Sequence, residues 1–126
     1  MTMKVTRREV VGVTILDLVG RIALGDGNIV LRETVKELVD QGQRRILLNL
    51  GEVTYVDSAG LGELVRAYML VHREGGEIKL LNPTRRVRNV LEITRLHTVF
   101  DVHESEDSAI NAFSAEQIAT PSSAQV

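Results

Sequence analysis

The hydroxyl of Ser58 lies where an apolar, β-branched run ends and an amphipathic helical pattern begins. A strand that passes directly into a helix leaves this hydroxyl at the amino end of the helix, beside the carboxylate of Asp57. Phosphorylation there would add a charge of about −1.5 to −2 at pH 7. The amino end of a helix tolerates that charge, whereas like charges brought together in an interface cost several kcal/mol. The pattern therefore predicts a site whose modification leaves the fold intact and abolishes the binding of a partner.

The same residues also have simpler explanations. Asp57 and Ser58 are both good helix caps, because their side-chain oxygens accept hydrogen bonds from the first backbone N–H groups of a helix. Gly60 and Gly62 each cost a helix interior about 1 kcal/mol relative to alanine. Glycine at such positions permits close approach, either by a neighbouring strand or by a partner. The sequence leaves both explanations open.

Ser58 does not fit the nucleophile of a hydrolase, although the strand–turn–helix setting is the right one. The hydrolase motif Gly-x-Ser-x-Gly requires a glycine where this chain has Val56. His72 follows 14 residues later on the same predicted helix, which is about 21 Å at 1.5 Å per residue and far beyond hydrogen-bond reach. His97 and His103 flank the last predicted strand, and we interpret them as ordinary surface histidines.

Two further kinds of site are poorly supported. A phosphoaspartyl receiver at Asp57 would need Mg²⁺ held by clustered carboxylates, whereas Asp17 stands alone in an apolar predicted strand. Gly60 and Gly62 could contact an anion at the helix start, but no P-loop lysine follows them. We therefore expect no cofactor, no metal ion and no catalytic activity.

The composition indicates one soluble globular domain in 126 residues, with 44% hydrophobic and 25% charged residues. The formal net charge of −2 and the 3% of aromatic residues disfavour nucleic acid as a partner. We interpret the one basic cluster, Arg85-Arg86-Arg88, as a solvated helix face. The chain has no cysteine, no apolar signal core, and no apolar run near the ~18 residues that span a bilayer. We expect a cytoplasmic protein.

Strands and helices alternate along the chain in the order ββαβαβαβα. Strands are predicted over 4–9, 10–19, 44–50, 77–81 and 98–102, and helices over 29–40, 58–74, after Pro83 and over 107–113. Asn28 or Asp26 is expected to cap the first helix. This order predicts an α/β domain over residues 1–113, with a mixed, mostly parallel sheet of four to five strands and about four helices. Residues 114–126 are too poor in apolar side chains to fold and are predicted to be a disordered tail.

Several segments together resemble the STAS domain, in particular the stand-alone anti-sigma factor antagonists of bacteria. The segment 49–62, with its Asp-Ser-Ala-Gly-Leu-Gly core, carries most of the likeness. Gly20-Arg21-Ile22, Gly75-Gly76 and the segment 87–94 add to it, so that the resemblance covers residues 4–113. The chain departs from the family pattern at Asn49-Leu50-Gly51 and at residues 22–26, which leaves the details of a partner surface open.

The resemblance implies a function and a set of site residues. Family members bind an anti-sigma factor, often a serine kinase, and so release a sigma factor. The kinase phosphorylates the serine that matches Ser58 and inactivates the antagonist, and a PP2C-type phosphatase restores it. The helix 58–74 would supply much of the contact face. The residues expected to bind the partner are Asp26, Asp57, Ser58, Ala59, Gly60, Leu61 and Gly62.

STAS-like domains also occur in signalling scaffolds and as accessory subunits of lipid transporters. A structural adaptor without a phosphorylation switch is therefore the alternative function. Phosphorylation of Ser58 with loss of binding would distinguish the switch from the adaptor.

Overall fold

Five strands form one sheet in the order β1-β2-β3-β4-β5 in the computed structural model, which describes residues 3–113. Strand β1 pairs antiparallel with β2, and the remaining neighbours are parallel. This arrangement confirms the predicted mixed, mostly parallel sheet. The predicted tail 114–126 lies outside the described residues. The strands are β1 (Lys4–Val10), β2 (Val13–Ile22), β3 (Arg45–Val56), β4 (Glu77–Leu81) and β5 (Asp101–His103).

Four helices cover the two faces of the sheet unequally. They are α1 (Asp26–Asp40), α2 (Ser58–Arg73), α3 (Arg85–Ile93) and α4 (106–113, where the described residues end). The strand order never reverses from β2 to β5, so right-handed crossovers must place α1, α2 and α3 on the same face. Helix α4, which follows the last strand, packs on the opposite face. No helix within residues 3–113 is both long and apolar enough to cross a membrane.

The core consists of two apolar layers separated by the sheet. Leu16 and Leu18 of β2 belong to the large layer under α1, α2 and α3. Val13 and Ile15 of the same strand point the other way and meet Phe113 of α4. This alternation is the two-residue period of a strand, and it explains why the first half of β2 is buried on both faces.

A polar cluster fastens α4 to the sheet. The guanidinium of Arg8 donates to Asp17 Oδ2 at 2.6 Å and to Glu106 Oε1 at 2.7 Å, so it joins β1, β2 and α4. Asn49 Nδ2 donates to the same aspartate at 2.7 Å. Asp17 is therefore the centre of an ion-pair network rather than an isolated carboxylate in an apolar strand.

Strand β2 begins and ends three residues later than the predicted 10–19, β3 is longer than the predicted 44–50, and the two strands reach the site together. Strand β3 continues from Arg45 to Val56 without a break, and Ile22 at the end of β2 is in register with Val56. The pairing of β2 with β3 shifts register twice, between Asp17 and Val19 and between Gly20 and Arg21. These irregularities accommodate the polar and glycine residues that interrupt the apolar pattern of the sequence. The ends of both strands consequently lie under the amino ends of the helices.

Two further predicted boundaries are wrong. The last strand is β5 at Asp101–His103 rather than 98–102, because Arg95 adopts a left-handed conformation and starts a 3₁₀ turn over Leu96–Thr98. Helix α1 starts at Asp26, and its cap is Gly25 with φ of 104°, not Asn28 or Asp26. The side chain of Asn28 instead lies one turn into the helix and accepts from the Gly25 N–H at 2.9 Å.

Candidate functional site

The carboxylate of Asp57 fixes the amino end of α2 to the loop before α1. Its Oδ1 accepts from the Gly60 N–H at 2.8 Å, which is the hydrogen bond of a helix cap. Its Oδ2 accepts from the Leu24 N–H at 3.1 Å. Of the two cap candidates, Asp57 and Ser58, the cap is therefore Asp57, and it also holds together two loops that are more than thirty residues apart in the chain.

These backbone contacts keep Asp57 ionised. The N–H of Leu24, and then that of Gly60, lower the pKa of the Asp57 carboxyl below its ordinary value, because both hydrogen bonds favour the charged form. The site thus carries a fixed negative charge next to Ser58. A phosphate added to the neighbouring hydroxyl would turn this into a cluster of negative charge.

Ser58 is the first residue of α2 and is exposed to solvent. Since Asp57 performs the capping, the Ser58 hydroxyl makes no hydrogen bond to any other group within residues 3–113. Its position therefore meets the steric requirement for a kinase substrate. The backbone beneath it is held by the cap and by the Leu61 N–H, which donates to the Asp57 carbonyl at 2.8 Å.

Gly60 permits a very close approach of α2 to the end of β2. A methyl group added at Gly60 would lie 1.8 Å from the carbonyl oxygen of Ile22. Gly27 of α1 has the same role, because a methyl group there would lie 2.2 Å from the carbonyl oxygen of Arg21. Two consecutive carbonyls of β2 are thus packed under two helix amino ends, and glycine is the only residue that allows both contacts.

Gly62 is different from Gly60, although both are glycines in the first turns of α2. It is exposed, and a methyl group added to it would have no atom within 4 Å. Close packing inside the domain therefore explains Gly60 and leaves Gly62 without a structural reason. Ala59 and Leu61 are half-buried, with Leu61 packed against the core.

Asp26 lies exposed at the first residue of α1. The loop that precedes it is tied to the amino end of α2 through the bond between Leu24 and Asp57. The amino ends of α1 and α2, which carry the predicted site residues, are therefore joined at the carboxyl ends of β2 and β3.

A buried carboxylate, which the sequence analysis did not identify, joins α1 to α2 behind this surface. Glu63 is only 2% exposed, and its Oε1 accepts from Arg32 at 2.9 Å and from Asn28 at 3.3 Å. Asn28 in turn accepts from Gly25, so the network extends from α2 to the cap of α1. The only signal in the sequence was that Glu63 falls on the same helix face as Gly60 and Ala67.

The remaining titratable clusters lie elsewhere. Asp101, His103 and Ser108 form a hydrogen-bonded row with contacts of 2.8 and 2.9 Å, which links β5 to the start of α4. Burial would raise the pKa of Asp101, but the hydrogen bonds from His103 and Lys79 outweigh it and lower that pKa. No set of three or more metal-ligating side chains is gathered in the described part of the chain.

Two relatives are similar to this chain in sequence. A Bordetella bronchiseptica protein named as an anti-sigma factor antagonist, BtrV, is 32% identical over 111 residues, which cover 88% of this chain and 95% of that protein. The anti-sigma-B factor antagonist of Bacillus subtilis is 33% identical over 81 residues, covering 64% of this chain and 73% of its own length.

Solved structures with the same fold include a Thermotoga maritima protein named as an anti-sigma factor antagonist, with a TM-score of 0.81 and 23% identity over 86% of this chain and 93% of that one. The Bacillus cell fate determinant SpoIIAA, solved in its phosphorylated form, has a TM-score of 0.68 and 21% identity over 86% of this chain and 98% of its own. The family model of the STAS domain matches residues 4–109. Fold, site motif and sequence similarity agree, and the chain belongs to the STAS domain family.

Proposed function

We propose that this protein is an anti-sigma factor antagonist whose docking face surrounds Ser58. The docking face consists of the residues at the amino ends of α1 and α2, namely Asp26, Asp57, Ser58, Ala59, Gly60, Leu61 and Gly62. With an unmodified serine it binds an anti-sigma factor that is itself a serine kinase. Phosphorylation of Ser58 releases that partner.

The observation that carries this proposal is the free hydroxyl of Ser58 on a rigid support. The capping task falls to Asp57, so modification of the serine removes no hydrogen bond from the fold. Gly60 holds the helix start against the Ile22 carbonyl, so the added group cannot be accommodated by moving the backbone inward. We therefore expect the phosphate to project outward, into the space that a docked partner would occupy.

The energies favour a switch that acts on binding rather than on folding. At the helix end, the dipole gains about 0.3–1 kcal/mol from a negative group, which the charge on Asp57 partly offsets. Across an interface, like charges cost several kcal/mol, and about 2.7 kcal/mol already lowers affinity a hundredfold.

The comparisons support the same function. The relatives from Bordetella bronchiseptica and Bacillus subtilis are both named as anti-sigma factor antagonists. SpoIIAA, which shares the fold, has been solved with its phosphate in place. In the proposed cycle a PP2C-type phosphatase removes the phosphate, and the exchange takes place in the cytoplasm.

Ser58 acts in this proposal as a phosphate acceptor and not as a nucleophile, and the protein as a binding module and not as an enzyme. Within residues 3–113 no imidazole or other base hydrogen-bonds to the Ser58 hydroxyl. Both oxygens of the adjacent Asp57 carboxylate already accept backbone N–H groups.

Binding to the anti-sigma factor tests the proposal. The partner is first identified by pull-down from the host with mass spectrometry, and its affinity is then measured by calorimetry for wild type, Ser58→Ala and Ser58→Asp. We expect Ser58→Ala to bind like the unmodified protein and Ser58→Asp to bind about a hundredfold more weakly. Purified partner with ATP should phosphorylate the wild type at Ser58 and leave Ser58→Ala unmodified.

Asn111→Asp is the matched control, since it adds the same charge at an exposed position of α4 on the other face of the sheet. It should bind like the wild type. If the protein stoichiometrically phosphorylated at Ser58 binds as tightly as the unmodified protein, the switch is wrong. The non-switching adaptor of a scaffold or lipid-transport complex is then the better description.

A further inference from the structure

A groove runs between α1 and α2 on the side of the domain next to the docking face. It has a volume of about 550 Å³. Along α2 it extends from Gly62 to Arg73, which is about 16 Å, or three helical turns, at 1.5 Å per residue. No described part of the chain occupies this groove.

The floor of the groove is aliphatic. Val35, Val65 and Leu70 line it, and Met69 stands in it with 58% of its surface exposed. A methionine side chain is flexible, and exposed apolar patches that contain one are typical of surfaces that bind other proteins. No aromatic side chain from the described part of the chain lines the groove, so these residues offer no platform for bases.

The rim of the groove is cationic, in a chain whose formal net charge is −2. Arg32 and Lys36 lie one turn apart on α1, and Arg66 and Arg73 lie two turns apart on α2. Within residues 3–113, Glu63 is the only carboxylate that lines the groove, and it is buried beneath Arg32 and Arg66 at 2.9 and 3.4 Å. The lining residues therefore have an excess of three positive charges, although Lys36 also pairs with Asp40, outside the lining, at 3.0 Å.

We propose that the α1–α2 groove binds an acidic amphipathic helix of a partner protein. A partner helix that lies between α1 and α2 can place one apolar stripe on the aliphatic floor. Acidic residues on its two flanks can then pair with Arg32 and Lys36 on α1 and with Arg66 and Arg73 on α2. Phosphates alone would leave the aliphatic floor without a contact. The groove shares Gly62 with the docking face, but the inference goes beyond the proposed function, because neither Ser58 nor an anti-sigma factor enters its test.

The probe is a synthetic fluorescent peptide of about three to four helical turns, with leucine on one stripe and glutamate elsewhere. A second peptide replaces every glutamate by lysine. We expect only the acidic peptide to bind, with an affinity that falls as salt is added. Amide chemical shifts of the full chain should change along 32–36 and 62–73.

Two pairs of variants test the groove, one at the floor and one at the rim. Met69→Asp should abolish binding, whereas Ile93→Asp, at an 81% exposed site on α3, should have no effect. Lys36→Gln with Arg73→Gln should weaken binding about tenfold. Arg85→Gln with Arg86→Gln removes the same charge from α3 and should leave binding unchanged. Circular dichroism of each variant establishes that it is folded.

Three results would overturn the inference. The first is equal binding of the acidic and basic peptides, and the second is binding that Met69→Asp does not reduce. The third is binding of the wild type to vesicles of equal parts phosphatidylcholine and phosphatidylglycerol without binding of the acidic peptide. That outcome would assign the groove to an anionic lipid surface.

Discussion

At the scale of single residues, the structure separates two glycines that look equivalent in the sequence. Gly60 is buried and lies against the carbonyl of Ile22, so its role is structural. Gly62 is exposed with open space around it, so the domain itself has no need for glycine there. A glycine that costs helix stability without a packing reason is best explained by a partner that approaches closely.

Substitution by alanine should therefore act in opposite directions at the two positions. Gly60→Ala should destabilise the domain by more than about 2 kcal/mol, because backbone must move to accept the methyl group. Gly62→Ala should stabilise it by about 0.5–1 kcal/mol, since alanine is the better helix former. Urea denaturation measures both. Stabilisation by Gly62→Ala together with weaker binding of the anti-sigma factor would identify Gly62 as a contact residue, and unchanged binding would remove it from the docking face.

At the scale of elements, one carboxylate coordinates two helix starts. Asp57 caps α2 and also accepts from Leu24 in the loop that leads into α1. The docking face is thus a joint product of α1 and α2, although it derives from segments that are far apart in the chain. Glu63, further along α2, provides a second connection between the two helices, because its carboxylate accepts hydrogen bonds from Arg32 and Asn28 of α1.

Asp57 should contribute to the stability of the domain through its side-chain oxygen atoms. Asp57→Ala should cost about 1–2 kcal/mol of unfolding free energy, because the cap is lost. Asp57→Asn should cost less, since asparagine is also a good cap. Thermal and urea unfolding compare the two variants. If they are equally destabilised, capping is not the reason for the aspartate.

At the scale of the whole molecule, the sheet is covered by three helices on one face and, among the described residues, by α4 on the other. Arg8 joins β1, β2 and α4 through Asp17 and Glu106. Its hydrogen bonds lower the pKa of both carboxyls, against the opposing effect of partial burial. We therefore expect the attachment of α4 to depend on pH.

The sign of that dependence follows from linkage. A carboxyl whose pKa is lower in the folded state contributes stability above its ordinary pKa, about 3.9 for aspartate and 4.3 for glutamate, and loses it on acidification. Arg8→Met should therefore be less stable than the wild type at pH 7, and the difference should shrink below about pH 4. Urea unfolding across this range measures the difference.

Arg7→Met is the matched control, because Arg7 is a cation on the same strand without a bond to Asp17 or Glu106. It should show a small and nearly constant effect. A difference between Arg8→Met and wild type that is as large at pH 3 as at pH 7 would contradict the role of these ion pairs.

What the sequence determined by itself was the local order. Turn residues and apolar spacing placed β4 at 77–81, started α2 at Ser58 and set the succession of strands and helices, because these signals act between residues a few positions apart. The STAS resemblance, which the segment 49–62 carries, was also recognisable from the sequence, and the family model that matches residues 4–109 confirms it.

Only the tertiary structure decided which of the site residues are buried or hydrogen-bonded and which are exposed. The bond between Leu24 and Asp57, the packing of Gly60 against Ile22, and the pairing of buried Glu63 with Arg32 all join residues more than thirty positions apart in the chain. The extent of β3 and the position of β5 depended on pairing with neighbouring strands. Such contacts form only when the chain folds, so no local pattern could assign the capping to Asp57 and leave the Ser58 hydroxyl exposed.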